Sequence, residues 1–317
     1  MKRNLTALAL AMCMLLTGCA ANSSSEVPSD AAQSAVTFTD DLGRTVTLPP
    51  PEKAAALLGS FAQVWMLAGG TVCAAPEEAW KDLELELAED TANLGQINQM
   101  NMELLITTRP DFILASSNNK NQLEWKDTLE ATGIPMAYFD IADFDDYLRL
   151  LRLCTDLTGQ PERYEQYGAS VQQEIDEVLA QSRQRLEQEE APVVLSLTAS
   201  ASTVRAKKSE GNVLGEMLRS LGCVNLADTE ESLLEDLSIE YILQEDPDYI
   251  FIVQRGDNTQ AVKDQVAQMM AGHPAWSQLT AVQNGRLYFM DKNLYNLKPN
   301  HRWGEAYRGL EDILSHG

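Results

Sequence analysis

One stretch of this chain occurs twice. Asn101-Met102-Glu103-Leu104-Leu105-Ile106-Thr107-Thr108-Arg109-Pro110-Asp111-Phe112-Ile113-Leu114 is answered by Ser238-Ile239-Glu240-Tyr241-Ile242-Leu243-Gln244-Glu245-Asp246-Pro247-Asp248-Tyr249-Ile250-Phe251, with one glutamate and one Pro-Asp in register. Such a duplication confines the chain to two halves of like architecture. In each copy Asn101 or Ser238 caps a short helix, and proline ends it, because the residue before a proline is pushed out of the α region. The apolar run that follows reads as a buried strand. Both glutamates fall in the first helical turn.

The rest of each half can be read around its copy. Residues 36–39 and 45–48 alternate about the turn Asp40-Asp41-Leu42-Gly43-Arg44 and predict a β-hairpin. After Pro49-Pro50-Pro51 come a strand at 54–58, a helix at 60–68 ended by Gly69-Gly70, the first glutamate helix, and strands at 112–115 and 136–139. The second half offers strands at 193–197, 249–253 and 286–290 and a helix at 213–221, with Tyr288-Phe289 answering Tyr138-Phe139. Alternating strands and helices favour mainly parallel sheets with helices on their faces. Between the halves, residues 161–190 space Tyr164, Tyr167, Val171, Ile175, Val178, Leu179 and Leu186 as one amphipathic helix. At 1.5 Å per residue it would span roughly 40 Å, a strut rather than a hinge.

The N-terminus carries a different signal. Met1-Lys2-Arg3 precedes an apolar stretch, Leu5 to Leu16, too short to cross a bilayer, and Leu16-Thr17-Gly18-Cys19 closes it with small residues. This resembles a bacterial lipoprotein leader. It implies removal of residues 1–18, lipid on Cys19, and a protein anchored to the extracytoplasmic face of the cell membrane, in a periplasm or at the outer surface. Residues 19–35, rich in Ser, Ala, Asp and Glu, form a flexible tether. The body then divides into a first lobe (36–160), the connecting helix (161–190) and a second lobe (191–317).

A formal charge of −23, more negative still once Lys2 and Arg3 leave, excludes nucleic acid as a partner. Cys73, Cys154 and Cys223 are widely spaced and form no CxxC, which indicates neither a zinc site nor a disulfide framework, although one disulfide among them stays open. Three histidines leave little room for a metal cage. There is no P-loop, nucleophile elbow, dinucleotide fingerprint or His-Glu-x-x-His, so nothing points to an enzyme.

Taken in order, Asp41-Leu42-Gly43-Arg44 before a proline-rich turn, Asn101-x-Glu103, Pro110-Asp111, the inter-lobe helix and the second glutamate resemble the helical-backbone class of substrate-binding proteins. These have the class III periplasmic binding protein fold and serve ABC importers of iron-siderophores, haem and cobalamin. The resemblance implies an α/β fold of two Rossmann-like lobes joined by a single long α-helix, with the ligand in a shallow cleft between them. It also implies a monomer whose partners are an ABC permease, itself a dimer, and its cytoplasmic ATPase. The cargo it implies is a ferric siderophore, with haem or cobalamin as alternatives, and no cofactor apart from the lipid. In that family an exposed glutamate on each lobe docks onto permease arginines, and the matching positions are Glu103 and Glu240. Carboxylates on two rigid lobes suit bidentate arginine pairs, whereas one first-turn glutamate alone would serve the helix dipole. A surface lipoprotein that captures ligand without its own transporter is the other binding reading.

Ligands of open α/β sheets sit beyond the carboxyl ends of the strands. That rule selects Ser60, Phe61, Asn118, Asn119, Ser200 and Arg255, with Arg205 and Lys207 just past Ser200. Tyr295, Lys298, His301, Arg302 and Trp303 near the C-terminus are further candidates, and Asn300-His301-Arg302-Trp303 is the preferred contact group of the second lobe. Basic and aromatic side chains on one cleft would pair with and stack on a bulky anionic chelate.

Overall fold

Among the described residues, 35–317 without Asp236 and Asp257, the strands of the computed structural model form one hairpin and two sheets. The leader, Cys19 and most of the tether, and with them the lipidation site, lie outside the described residues. β1 (Val36–Thr39) and β2 (Thr45–Leu48) pair antiparallel. β3 (Ala54–Ala56), β4 (Val72–Ala75), β5 (Ala92–Asn93), β6 (Phe112–Ser116) and β7 (Met136–Phe139) form a parallel sheet in the order β5-β4-β3-β6-β7. In the second sheet β8 (Val193–Ala199), β10 (Val224–Asn225), β11 (Tyr249–Gln254) and β12 (Leu287–Met290) run parallel in the order β10-β8-β11-β12. β9 (Val204–Ala206) folds back antiparallel on β8.

The repeated sequence is a repeated structure. β6 follows the helix Met102–Thr107 and lies between β3 and β7; β11 follows the helix Ile239–Glu245 and lies between β8 and β12. The Pro-Asp of each copy does the same work. Asp111 accepts the N–H groups of Glu52 (3.1 Å) and Lys53 (3.2 Å) and returns its own N–H to the Lys53 carbonyl. Asp248 accepts the N–H of Val193 at 2.8 Å and donates back to the Val193 carbonyl. Each aspartate thus fixes the start of the neighbouring strand. The residue before each proline, Arg109 (φ 49°) or Asp246 (φ 40°), is left-handed, a conformation that costs an L-residue roughly 1–2 kcal/mol. Both copies keep the same strained exit from the helix.

One expected match fails. Ile113 pairs with Met136 as Ile250 pairs with Leu287, so Tyr138 corresponds to Phe289 and not to Tyr288. A slip of one residue turns a strand's faces over, so Tyr288 points away from the face that Tyr138 occupies; at the matching position Phe289 is exposed where Tyr138 is fully buried.

The hairpin turn covers an edge of the first sheet. Buried Asp40 accepts the N–H of Tyr138 and Asp41 donates its own N–H to the Tyr138 carbonyl, so β7 has no free edge at that residue. Burial would raise the Asp40 carboxyl, but the Arg44 guanidinium and the backbone donors outweigh it and hold the group below the usual range.

Between the sheets the chain is helical in three successive stretches: Pro161–Tyr164, a π-turn at Glu165–Ala169, and Ser170–Leu186, with helical dihedrals at both junctions. It ends four residues before Glu190. The π-turn frees a backbone carbonyl, and the Tyr147 hydroxyl donates to that of Tyr167 at 2.8 Å. A Cβ on Gly168 would come 3.1 Å from Leu148, so glycine lets the helix Phe144–Thr158 lie close. The C-terminal helix Trp303–His316 packs along Ser170–Leu186, where Arg185 and Glu311 form an ion pair 7 % and 6 % exposed. One apolar core runs from Phe112 and Leu114 through Val171, Ile175 and Val178 to Phe251 and Leu310, linking both sheets along this helix. Cys73, Cys154 and Cys223 are free thiols, which closes the open question of a disulfide among them. No helix of the described residues is long and apolar enough to cross a membrane.

Candidate interlobe binding cleft

The carboxyl ends of strands from both sheets converge on one cavity. Leu58 beyond β3, Ser116 at the end of β6 and Asp140 beyond β7 meet Thr198 of β8, Val253 and Arg255 at the end of β11, and Tyr295, Asn296 and Lys298 beyond β12. With Asn118, Asn119, Ser196, Lys207 and Gly211-Asn212-Val213 they enclose about 510 Å³, within the usual range for a small-molecule site. Asn119 caps the helix Lys120–Glu124 and Asn212 caps the helix Val213–Ser220, which fixes both amides at the rim. The Asn118 amide donates to Asp140 at 3.1 Å, and Lys298 stands 3.8 Å from the other Asp140 oxygen.

Lys207 and Arg255 form no ion pair among the described residues, so their charges are available to a ligand. Burial pulls the Lys298 ammonium below its ordinary range, with Asp140 working against that. The wall therefore sets three cations against one carboxylate on a strongly acidic chain. A site so charged attracts an anion and fixes its orientation through amides and hydroxyls. No group of three or more His, Cys, Asp or Glu side chains among the described residues is placed to hold a metal ion.

The expected ligand residues divide. Asn118, Asn119, Lys207, Arg255 and Tyr295 lie on the cleft wall. Phe61 does not, because the helix Gly59–Leu67 turns it fully into the core. Ser60 is buried too, its carbonyl taken by the Asn300 amide at 2.9 Å. Ser200 accepts the N–H groups of Ser202 and Thr203 and closes the β8–β9 turn. Alternation along β9 buries Ala206 and leaves Arg205 exposed beside a separate depression lined by Leu237, Met269, His273 and Trp276.

The group Asn300-His301-Arg302-Trp303 also belongs elsewhere: it is a seam between the halves. Asn300, left-handed at φ 54°, donates to Ser60 and to Gln63 (2.7 Å). Trp303 is fully buried edge-on to Phe144, His301 packs against Tyr167, and Arg302 binds Glu305 with two hydrogen bonds of 2.7 Å. Asp140, Asn212 and Asn296 were not among the expected residues. The strand-end rule reaches Asp140, which directly follows β7, but the other two depend on where helix starts and the C-terminal loop fall in space.

A second polar seam holds a titratable group. Lys292 pairs with Asp82 at 2.8 Å and the Asn293 amide donates to the Asp82 carbonyl at 3.1 Å, tying the two halves together. One turn earlier in the chain, Glu78 accepts the N–H of Gly59. Burial, and next the charge of Asp82, raise the Glu78 carboxyl to about 7, against the pull of Gly59 and Lys292. Between its ordinary value and about 7 the folded protein keeps a proton that the unfolded chain has lost, so this group's contribution to stability falls as pH rises. Glu78→Gln keeps an acceptor for Gly59. Urea midpoints should show the variant more stable by about 3 kcal/mol at pH 8 and equal to the parent below pH 4.5; a constant difference across that range would remove Glu78 as the cause.

Glu103 and Glu240 lie away from the cleft. Both are exposed, and neither carboxylate has a hydrogen bond or ion pair among the described residues.

Residues 55–294 match the protein family described as Periplasmic binding protein. The Fe(3+)-citrate-binding protein YfmC of Bacillus subtilis strain 168 is 21 % identical over 291 residues, covering 90 % of this chain and 88 % of that protein. Among solved structures, Staphylococcus aureus SirA complexed with staphyloferrin B superposes with a TM-score of 0.68 at 20 % identity, over 88 % of this chain and 98 % of that one. S. aureus IsdE complexed with haem superposes equally well, with a TM-score of 0.68 at 15 % identity over 82 % and 98 % of the two chains.

Proposed function

Because this chain belongs to the periplasmic binding protein family, we propose that it is the solute-binding component of an ABC importer, capturing a ferric chelate and delivering it to a membrane permease. It does so as a non-enzymatic monomer held by lipid on Cys19 at the outer face of the cell membrane. Its two lobes, 36–160 and 191–317, are joined by the connecting helix, and a cytoplasmic ATPase drives uptake. The observation that carries this reading is the cleft itself, where strand ends from both sheets gather three cations, amides and hydroxyls around one cavity. The Fe(3+)-citrate named for YfmC and the staphyloferrin B complexed with SirA support the choice of cargo. Glu103 and Glu240 supply the docking carboxylates.

Isothermal titration of the purified chain with ferric citrate, ferric siderophores, haemin and cobalamin tests the proposal. Saturable binding of an iron chelate with Kd in the micromolar range or below is the expected result. Heat changes indistinguishable from dilution for the whole panel would end it.

A further inference from the structure

Resting on the binding reading above, we infer that the cleft is built for a ferric hydroxycarboxylate chelate of the citrate type, and not for haem or an aromatic catecholate complex. The inference comes from what the wall offers. Haem is held through an axial iron ligand from His, Met, Cys or Tyr. Tyr295 is the one such side chain on the described wall, it is 6 % exposed, and its hydroxyl donates to the Ala306 carbonyl at 3.1 Å. His301 is off the wall, packed edge-on to Tyr167 with its Nδ1 buried.

Catecholate complexes present flat aromatic rings, which proteins grip by stacking on exposed aromatic faces and guanidinium planes. No exposed aromatic ring lines the described wall, and Arg255 is the one guanidinium there. A ferric hydroxycarboxylate is different. Its own oxygens satisfy the iron, and what it shows the protein is a compact surface of carboxylates. Those need ammonium, guanidinium, amide N–H and hydroxyl donors, all of which the cleft supplies in Lys207, Arg255, Lys298, Asn296 and Thr198. Three cations against Asp140 leave a net positive wall, suited to a small polyanion.

Competitive titrations of the full chain, purified in detergent, decide the matter with four probes: ferric citrate, a ferric tris-catecholate, a ferric tris-hydroxamate and haemin. Ferric citrate should bind roughly tenfold or more tighter than the others, and Lys207→Gln with Arg255→Gln should weaken it by roughly tenfold per lost charged contact. Circular dichroism and the thermal midpoint of that variant should match the parent, since neither side chain is paired within the fold. Binding of haemin, the catecholate or the hydroxamate as tightly as ferric citrate overturns the inference and leaves the binding reading standing. Binding of ferric citrate that is unchanged by the double substitution overturns it as well. Failure of all four probes overturns both.

Discussion

Glu103→Ala combined with Glu240→Ala should reduce cellular uptake of the chelate to that of cells lacking the protein, while Kd in solution stays within about twofold, as for surface substitutions remote from a site. The two carboxylates occupy the same place in duplicated units, and both are exposed and unpartnered among the described residues. Each sits on a short helix whose exit is fixed by Asp111 or Asp248 against a sheet, so the pair is presented by rigid elements. A bidentate arginine pair contributes roughly 1.5–3 kcal/mol per charged hydrogen bond, so the single variants should each retain part of the uptake. As dipole partners alone the glutamates would be worth at most about 1 kcal/mol of helix stability, with no effect on transport. Radioactive-iron uptake alongside solution titration separates the two, and undiminished uptake by the double variant would remove docking as their role.

Glu311→Ala should destabilise the fold by about 3 kcal/mol, since it leaves the Arg185 guanidinium nearly buried without its counter-charge. The loss is made worse because Arg185 Nη1 already has no hydrogen-bond partner among the described residues. Replacing both residues with apolar ones, Arg185→Met with Glu311→Leu, should restore most of the stability, because a well-packed apolar pair is often as stable as a buried ion pair. Chemical denaturation gives both numbers. A small loss for Glu311→Ala would mean that water reaches the pair and that the C-terminal helix is held to the connecting helix by its apolar face alone.

What could be read in advance was local. The capping residues, the prolines and the apolar runs of each repeat act within a few positions, so both glutamate helices and the strands after them were legible, as were the buried positions Val171, Ile175 and Val178 on Ser170–Leu186. What failed was decided at long range. Phe61 and Trp303 belong to a residue class that serves equally in pockets and cores, and what buries them comes from distant parts of the chain, as Trp303 meets Phe144 and Asn300 joins Ser60. Tyr288-Phe289 resembled Tyr138-Phe139 in composition, but strand register, which no short motif encodes, set them one residue apart. The strand-end rule located the cleft; which side chains reach it depended on loop paths.

The aspartate clamps have a consequence for traffic at the membrane. Each glutamate helix is moored to its own sheet, and no residue of the cleft wall belongs to it. With Glu103 and Glu240 in the docking role proposed above, filling the cleft has no direct handle on either helix, and empty and loaded molecules would compete for one landing place on the permease. A cell that makes far more of this protein than it has chelate to fill would crowd its own importer with vacant carriers, and uptake would be greatest when supply of the carrier matches supply of the cargo.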